Sequence, residues 1–187
     1  MAKCKRTSGN KKLNKQLNKL IALVITLIIG AFFAQNSLKY DDAPRVIGTV
    51  EGKVIKVSDG DTITVLNADK QQLKVRLYGI DAPETKQVYG NASRKALAAM
   101  IAGQQVTLNV LEIDQYGRSV AKVRFNDTDI NRNMVEDGHA WVYTQYCKTL
   151  GCERLEELQY RARQDKIGLW KDKNPTPPWT WRKNNKK

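Results

Sequence analysis

The sequence predicts an α+β domain in which five β-strands close into a small barrel and three helices accompany it. Apolar and polar residues alternate in five short segments, which is the period of a half-buried strand. Helical periodicity occurs once between the third and fourth segments and twice after the fifth. Five strands with a helix after the third match the Greek-key barrel called the OB-fold, which often binds nucleic acid.

The five strands are predicted from aliphatic and β-branched runs that end in turn-forming residues. The first covers 46–57, and its glycines favour a coiled or bulged strand. The other strands are expected near 62–66, 73–78, 106–110 and 121–125. Short turns join the first three strands, which therefore form a meander.

Three helices are predicted from apolar stripes at helical spacing. The first covers 89–102 and ends at Gly103, the second covers 130–137, and the third covers 153–166. Beyond them, prolines favour an extended tail at 174–182. Two arrangements of this tail remain open: its tryptophans pack against the domain, or the tail is free.

The chain is strongly basic. Its net charge is +13, and seven of its lysines and arginines lie in residues 1–34, which contain no acid. Residues 35–187 therefore remain basic, at +6. Such an excess favours polyanions such as nucleic acid or anionic lipid head groups, while a well-solvated cationic surface is the alternative.

Residues 1–34 are predicted to be a signal peptide or an uncleaved signal anchor. A basic stretch at 3–19 precedes an uncharged apolar run at 20–34, which as a helix would span about 23 Å, less than a hydrocarbon core of roughly 30 Å. Ala34 is a candidate cleavage point, although Phe32 is bulkier than the small residue usual at that place. The positive charge would keep the N-terminus cytoplasmic and send the domain across the membrane. The predicted organisation is a targeting segment at 1–34, a linker at 35–45, a domain at 46–171 and a basic tail at 172–187.

Two of the three cysteines, Cys147 and Cys152, lie close together in the predicted domain. Export favours a disulfide between them, with two unpaired thiols near a helix start as the alternative. His139 is the only histidine, so a zinc site built from histidine and cysteine is not expected. We expect His139 to lie at the surface.

Three polar groups stand out along the chain. They are Asp-Gly-Asp-Thr at 59–62, Arg76 separated by four residues from Asp-Ala-Pro-Glu-Thr at 81–85, and Asp-Gln-Tyr-Gly-Arg at 114–118. Each alone is typical of a turn. Together and in this order they resemble the thermonuclease, or staphylococcal nuclease-like, family. The likeness covers about 52–170, and Gly-Leu-Trp at 168–170 adds weaker support.

The resemblance implies an OB-type barrel with three helices that hydrolyses DNA and RNA phosphodiesters using calcium. It implies that Asp61 and Asp81 are calcium ligands together with the backbone carbonyl of Ala82. Calcium takes several oxygen ligands at flexible angles, so this set leaves room for waters and a phosphate oxygen. A metal ion there would polarise the phosphoryl group and lower the pKa of a bound water.

The same resemblance assigns catalytic roles to three side chains. Arg76 and Arg118 would grip the scissile phosphate, because guanidinium forks meet the negative charge of the transition state with paired hydrogen bonds. Glu84 would act on the attacking water as a general base or as an acceptor that orients it. Lysine would be a poorer residue at either arginine position.

Aromatic residues are expected to contact the substrate. Tyr116 is a candidate for a hydrogen bond to phosphate, and Tyr143 for stacking on a base, since every base has a π-face. Trp141 could stack in the same way, and either residue could instead belong to the core; we favour the core for Trp141 and substrate contact for Tyr143. The sequence departs from the family pattern at two places: Gln115 stands where a lysine would help hold a terminal phosphate, and 86–89 is shorter than the mobile loop of the best-studied member.

These observations predict a monomeric, exported, calcium-dependent nuclease that cleaves DNA, RNA or both with little sequence preference, either free outside the cytoplasmic membrane or anchored to it. The alternative is a non-catalytic OB-type nucleic-acid-binding module tethered at the membrane. A basic envelope-binding protein is supported by charge alone. What favours the enzyme is the joint presence of Asp61, Arg76, Asp81, Glu84 and Arg118.

Overall fold

The computed structural model describes residues 16–29, 45–147 and 149–186, which fall into two compact units at 1–42 and 43–187. In the first unit the described residues form one helix, α1, at 16–29. Within the described ranges, no helix combines the length and the apolar character needed to cross a membrane. Ala34 and all of the predicted linker except its last residue lie outside the described residues.

A five-stranded barrel is the centre of the second unit. Its strands and the short strands beside them are β1 Gly48–Val57, β2 Thr62–Asn67, β3 Gln72–Leu77, β4 Ile80–Asp81, β5 Gln105–Ile113, β6 Ser119–Phe125, β7 Thr128–Asp129 and β8 Trp141–Val142. Neighbouring strands in the order β3-β2-β1-β5-β6 are antiparallel, and a parallel pairing of β3 with β6 closes the barrel. The predicted barrel is confirmed.

β1 is long because it belongs to both halves of the barrel. Its first part pairs with β5 and its second part with β2. The register with β2 shifts between Val54 and Lys56, which is a bulge that lets the strand bend. The glycine-containing run therefore forms the bent strand that its sequence predicts.

The helices of the second unit lie close to their predicted positions, with one addition. They are α2 Gly90–Ile101, α3 Ile130–Glu136, α4 Leu150–Gln164, a 3-10 turn at Gly168–Lys171 and α5 Pro178–Asn184. α2 and α3 match within one residue at each end. α4 begins three residues before the predicted start, directly after Thr149. α5 lies in the tail that was predicted to be extended.

The tail is where the prediction from proline content is wrong. Residues 175–177 lack regular structure and Pro177 is extended, but α5 begins at Pro178. Proline suits the first helical position because its missing N–H would have no partner within the helix. The Trp181 amide donates to the Pro177 carbonyl at 3.0 Å and so closes the first turn.

Two apolar clusters hold the second unit together. Side chains that alternate inward along the strands fill the barrel, and α2 closes it with Leu97 and Ile101. The tryptophan cluster consists of Trp141, Ala162, Leu169 and Trp170, with Tyr89 and Trp179 packed against it. Because Trp179 belongs to the tail, the tail packs against the domain.

Candidate active site

The barrel topology brings Asp61 and Arg76 side by side. β2 begins at Thr62, whose partner across the sheet is Arg76 of β3. The Leu77 amide donates to the Asp61 carbonyl at 2.8 Å, which fixes Asp61 just beyond the last strand pair. Arg76 faces outward because its neighbours Val75 and Leu77 occupy the barrel interior.

Asp81 reaches Arg76 from β4. This strand pairs with β8, and Asp81 lies opposite Trp141. Arg76 Nη2 donates to Asp81 Oδ1 at 2.8 Å and to the Ile80 carbonyl at 3.1 Å. Arg76 Nη1 forms an ion pair with Asp61 Oδ1. The two aspartates are 3% and 0% exposed, and their shared guanidinium supplies the partner that buried charges require.

The turn that carries Asp61 is held by hydrogen bonds and by close packing. Asp59 Oδ1 accepts the Asp61 amide at 3.0 Å. A Cβ at Gly60 would collide with the Ser93 hydroxyl and would lie 2.6 Å from the Ala82 Cβ. Glycine therefore lets this turn approach Ala82, whose amide donates to Asp61 Oδ2.

Burial and neighbouring charges shift the pKa of groups around Arg76. Burial lowers the pKa of Arg76, although attraction to Asp81 opposes this. Burial raises the pKa of Asp59, against the attraction of Arg76 and Arg118. The charge of Arg118 also lowers the pKa of Arg76. Arg118 therefore lies near enough to Arg76 to act on it electrostatically.

Arg118 is held by the hairpin between β5 and β6. Asp114 Oδ1 accepts the amides of Tyr116 and Arg118, both at 2.9 Å, and its Oδ2 accepts from Arg118 Nε at 2.7 Å. Burial alone would raise the pKa of Asp114, but these hydrogen bonds outweigh it and lower the pKa. The Arg118 guanidinium lies 5.3 Å from the centre of the Tyr116 ring. In the described residues its ion-pair partner is Asp114.

The segment between β4 and α2 presents Glu84. The Glu84 amide donates to Gln87 Oε1 at 3.2 Å. A Cβ at Gly90 would collide with the Glu84 carbonyl oxygen, so glycine is required where the segment turns into α2. Gln87 is buried, and its Nε2 donates to the Thr176 carbonyl at 2.5 Å. The Glu84 segment is thus tied to the tail.

Arg182 of α5 joins Glu84 to Asp81. Its Nη1 donates to Asp81 Oδ1 at 3.0 Å and to Glu84 Oε1 at 2.8 Å, and its Nη2 donates to Asp81 Oδ2 at 2.8 Å. The hydrogen bonds to Asp81 outweigh burial and raise the pKa of Arg182. We call Asp61, Arg76, Asp81, Glu84 and Arg182 the Asp81 cluster.

Comparison with known proteins identifies the family. The model of the staphylococcal nuclease homologue family matches residues 74–172, which is more than half of the chain. An uncharacterized endonuclease of Escherichia coli O157:H7 is 43% identical over 140 residues, covering 74% of this chain and 89% of the relative. A micrococcal nuclease of Shigella flexneri is 38% identical over 144 residues, covering 72% and 82%. The chain belongs to the staphylococcal nuclease family.

As a member of this family the protein is a nuclease, a hydrolase that acts on nucleic acid. An uncharacterized endonuclease of Haemophilus influenzae, 40% identical over 134 residues that cover 72% of this chain and 74% of the relative, is similar to it as well. The family match includes Arg76, Asp81, Glu84 and Arg118, and it ends before Arg182.

The nuclease covers its predicted stacking residue with the tail. The rings of Tyr143 and Trp179 are parallel within 3°, with centroids 5.6 Å apart. Trp141 is buried in the tryptophan cluster, and the Arg163 guanidinium lies 4.8 Å from its ring centre. Tyr116 is 73% exposed at the tip of its hairpin.

The structure pairs Cys147 with Cys152 in a disulfide, with Cα atoms 5.5 Å apart. The Cys147 amide donates to the Tyr143 carbonyl at 2.9 Å and closes the turn that follows Tyr143, and the disulfide joins the end of this turn to α4. The prediction of a surface position for His139 is wrong. This residue is half-buried, its Nδ1 lies 3.0 Å from the Tyr89 hydroxyl, and burial lowers its pKa.

Sequence reasoning missed three residues at the site. Gln87 belongs to no recognisable sequence motif. Its hydrogen-bond partners are two backbone groups, the amide of Glu84 and the carbonyl of Thr176, which is 89 residues away. Trp179 and Arg182 lie in the tail, and the prolines of the tail predict an extended segment with no assigned function. The sequence feature that could have indicated them is that Arg182 lies close to two tryptophans. This feature does not identify a site unless the fold is known.

Proposed function

We propose that this nuclease hydrolyses phosphodiester bonds of DNA, RNA or both in a calcium-dependent reaction with little sequence preference. The Asp81 cluster is the observation that supports this most directly. Two buried aspartates share one guanidinium, and a glutamate is joined to them through a second. Phosphoryl transfer depends on positioning and on electrostatic stabilisation, and acidic oxygens beside guanidinium groups can supply both.

The residues present fit a calcium ion by donor type. Asp61 and Asp81 offer carboxylate oxygens, and calcium prefers oxygen ligands. Across the described ranges, no group of three or more His, Cys, Asp and Glu side chains is arranged to hold a metal ion. The remaining proposed ligands are therefore the Ala82 carbonyl, water and a phosphate oxygen. When bound, calcium would polarise the phosphoryl group and lower the pKa of a bound water.

The chain's own residues have complementary roles in the proposed reaction. Arg76 and Arg118 donate N–H groups to phosphate oxygens, from the barrel strand and from the hairpin respectively. Negative charge on those oxygens grows toward the transition state, so these hydrogen bonds strengthen as the reaction proceeds. Glu84 accepts a proton from the attacking water or orients that water.

Low sequence preference follows from the kinds of contact that we propose. Contacts from arginine and from Tyr116 to phosphate carry no base information. Stacking of a base on Tyr143 is tolerant of sequence because every base has a π-face. The basic surface of the domain would add attraction that falls as salt concentration rises.

We also propose that the nuclease acts outside the cytoplasmic membrane as a monomer, either secreted, periplasmic or held by its N-terminal segment. The basic and apolar stretches within residues 1–34 support export. The disulfide between Cys147 and Cys152 supports an oxidising compartment. Cell fractionation with N-terminal sequencing of the product tests this. A cytoplasmic product with free thiols would contradict it.

Plasmid cleavage by two variants tests the catalytic roles. Glu84→Gln and Arg118→Ala are expected to lower the cleavage rate by about 10²- to 10⁴-fold while the circular dichroism spectrum is unchanged. Glu156→Gln and Arg154→Ala are matched controls, because both residues are exposed on α4 and form no ion pair within the described ranges. Full cleavage by Glu84→Gln would overturn the role proposed for Glu84.

Metal removal tests the cofactor. EDTA is expected to stop cleavage and added calcium to restore it, because the proposed ligands are hard oxygens. Recovery with magnesium and never with calcium would contradict the proposal. The ratio of rates on single-stranded DNA, duplex DNA and RNA under the same conditions measures substrate preference.

A further inference from the structure

The helix α5 places two side chains on groups that the proposed reaction needs. Arg182 binds both carboxylate oxygens of Asp81 and one of Glu84. Trp179 covers the ring of Tyr143. We propose that α5 is an internal competitor of the cation: calcium binding displaces Arg182, loosens α5 and uncovers Tyr143. This inference rests on the proposed calcium site.

Competition follows from how the oxygens of Asp81 are used. Its Oδ1 accepts from both Arg76 and Arg182, and among the described residues its Oδ2 accepts from Arg182 alone. A cation that takes Asp81 as a ligand must approach one of these oxygens. It would then lie beside a guanidinium of like charge, and the two would repel. One arginine must therefore lose its contact with Asp81 when the cation binds.

Arg182 is the arginine that loses its contact with Asp81. The Arg76 side chain is 14% exposed, belongs to a barrel strand and also donates to the Ile80 carbonyl. The Arg182 side chain is 35% exposed and belongs to a seven-residue helix, which has little stability of its own. Moving Arg76 would disturb the barrel, whereas moving Arg182 disturbs surface contacts of the tail.

The contacts of α5 release together. Trp179 and Arg182 are three residues apart and therefore lie on the same face of the helix. Residues 175–177 connect α5 to the rest of the domain without regular structure, and Gln87 holds this connection through the Thr176 carbonyl. Loss of the Arg182 contacts leaves the packing of Pro178 and Trp179 as attachments of the helix, so the helix is expected to open more often.

Isothermal titration of calcium into the full chain tests the competition. Arg182→Gln is expected to bind calcium about tenfold more tightly than wild type, the scale of charge-assisted hydrogen bonds that are partly exposed. Arg182→Lys, which keeps the charge and loses the planar fork, should lie between the two. Lys183→Gln is the matched control, because Lys183 is exposed on the same helix, has the same charge and forms no ion pair within the described ranges.

Hydrogen exchange in the same samples follows α5 itself. Saturating calcium should raise deuterium uptake in 176–184 of the wild type while uptake in α2 stays constant. Equal affinities in Arg182→Gln and Lys183→Gln would overturn the competition alone, as would weaker binding by Arg182→Gln or unchanged uptake in 176–184. Absence of calcium binding in wild type and every variant would instead overturn the proposed calcium site, and the competition with it.

Discussion

Asp81 lies between two arginines that the fold holds in different ways. Arg76 is fixed by backbone pairing on both sides, to Thr62 in β2 and to Val120 in β6. Arg182 is fixed by side-chain contacts of a short terminal helix. The barrel half of the Asp81 cluster is therefore built by strand pairing, whereas the tail half is held by docked side chains.

The largest expected effect concerns catalysis. Arg76→Gln should lower the rate of plasmid cleavage by about 10²- to 10³-fold, because it removes a proposed hydrogen-bond donor to the negative charge of the transition state. Arg182→Gln should keep the rate at saturating calcium within about threefold of wild type, since its partner oxygens are then released in any case. Similar losses of cleavage rate in the two variants would mean that Arg76 and Arg182 are equally important for catalysis.

Variants of the two arginines should also differ in their free energy of unfolding. Arg76→Gln leaves two buried carboxylates short of their partner and should lower the free energy of unfolding by about 3 kcal/mol. Arg182→Gln breaks half-exposed contacts and should cost less than about 1 kcal/mol. Urea denaturation in EDTA measures both. The reverse order would mean that the tail, and not the barrel, stabilises Asp81.

The disulfide joins the turn after Tyr143 to α4, next to the ring on which Trp179 of the tail packs. A Cys147→Ser, Cys152→Ser double variant should lose about 2 kcal/mol of unfolding free energy, as expected for a short closed loop. It should also raise deuterium uptake in α5, because the turn after Tyr143 presents that ring to Trp179. Unchanged uptake in α5 would show that tail docking does not depend on this turn.

The smallest expected effect is a pH dependence at His139. Burial lowers the pKa of His139 below 6.5, so as pH falls through 6.5 the unfolded chain takes up the proton first. The free energy of unfolding should therefore fall below pH 6.5 until the folded-state pKa is passed. His139→Gln should flatten this part of the curve in urea titrations from pH 7.5 to 5. An unchanged slope would assign the pH dependence to other groups.

The barrel half of the site could be predicted from the sequence because most of its residues lie close together in the chain. The alternation of residues 73–78 predicts the strand and the outward face of Arg76. The residues that follow, Asp81 and Glu84, lie in the same short motif. Asp61 lies in a separate motif, and its place beside Arg76 follows from the pairing of β2 with β3.

The tail half could not be predicted because its contacts join residues far apart in the chain. Arg182 is 101 residues from Asp81 and 98 from Glu84. No period or turn signal connects such positions. Proline content also misled the assignment of α5, because proline favours both an extended segment and the first position of a helix.

Plasmid cleavage by Asp81→Asn over a full range of calcium concentrations tests whether the Asp81 cluster is the hydrolytic site. Asp81 is the carboxylate that every part of the Asp81 cluster shares, so this variant should cleave at less than about 1% of the wild-type rate at any calcium concentration. Asp69→Asn, at an exposed turn between β2 and β3, should match wild type. Cleavage by Asp81→Asn at or near the wild-type rate would place the hydrolytic site elsewhere in the molecule.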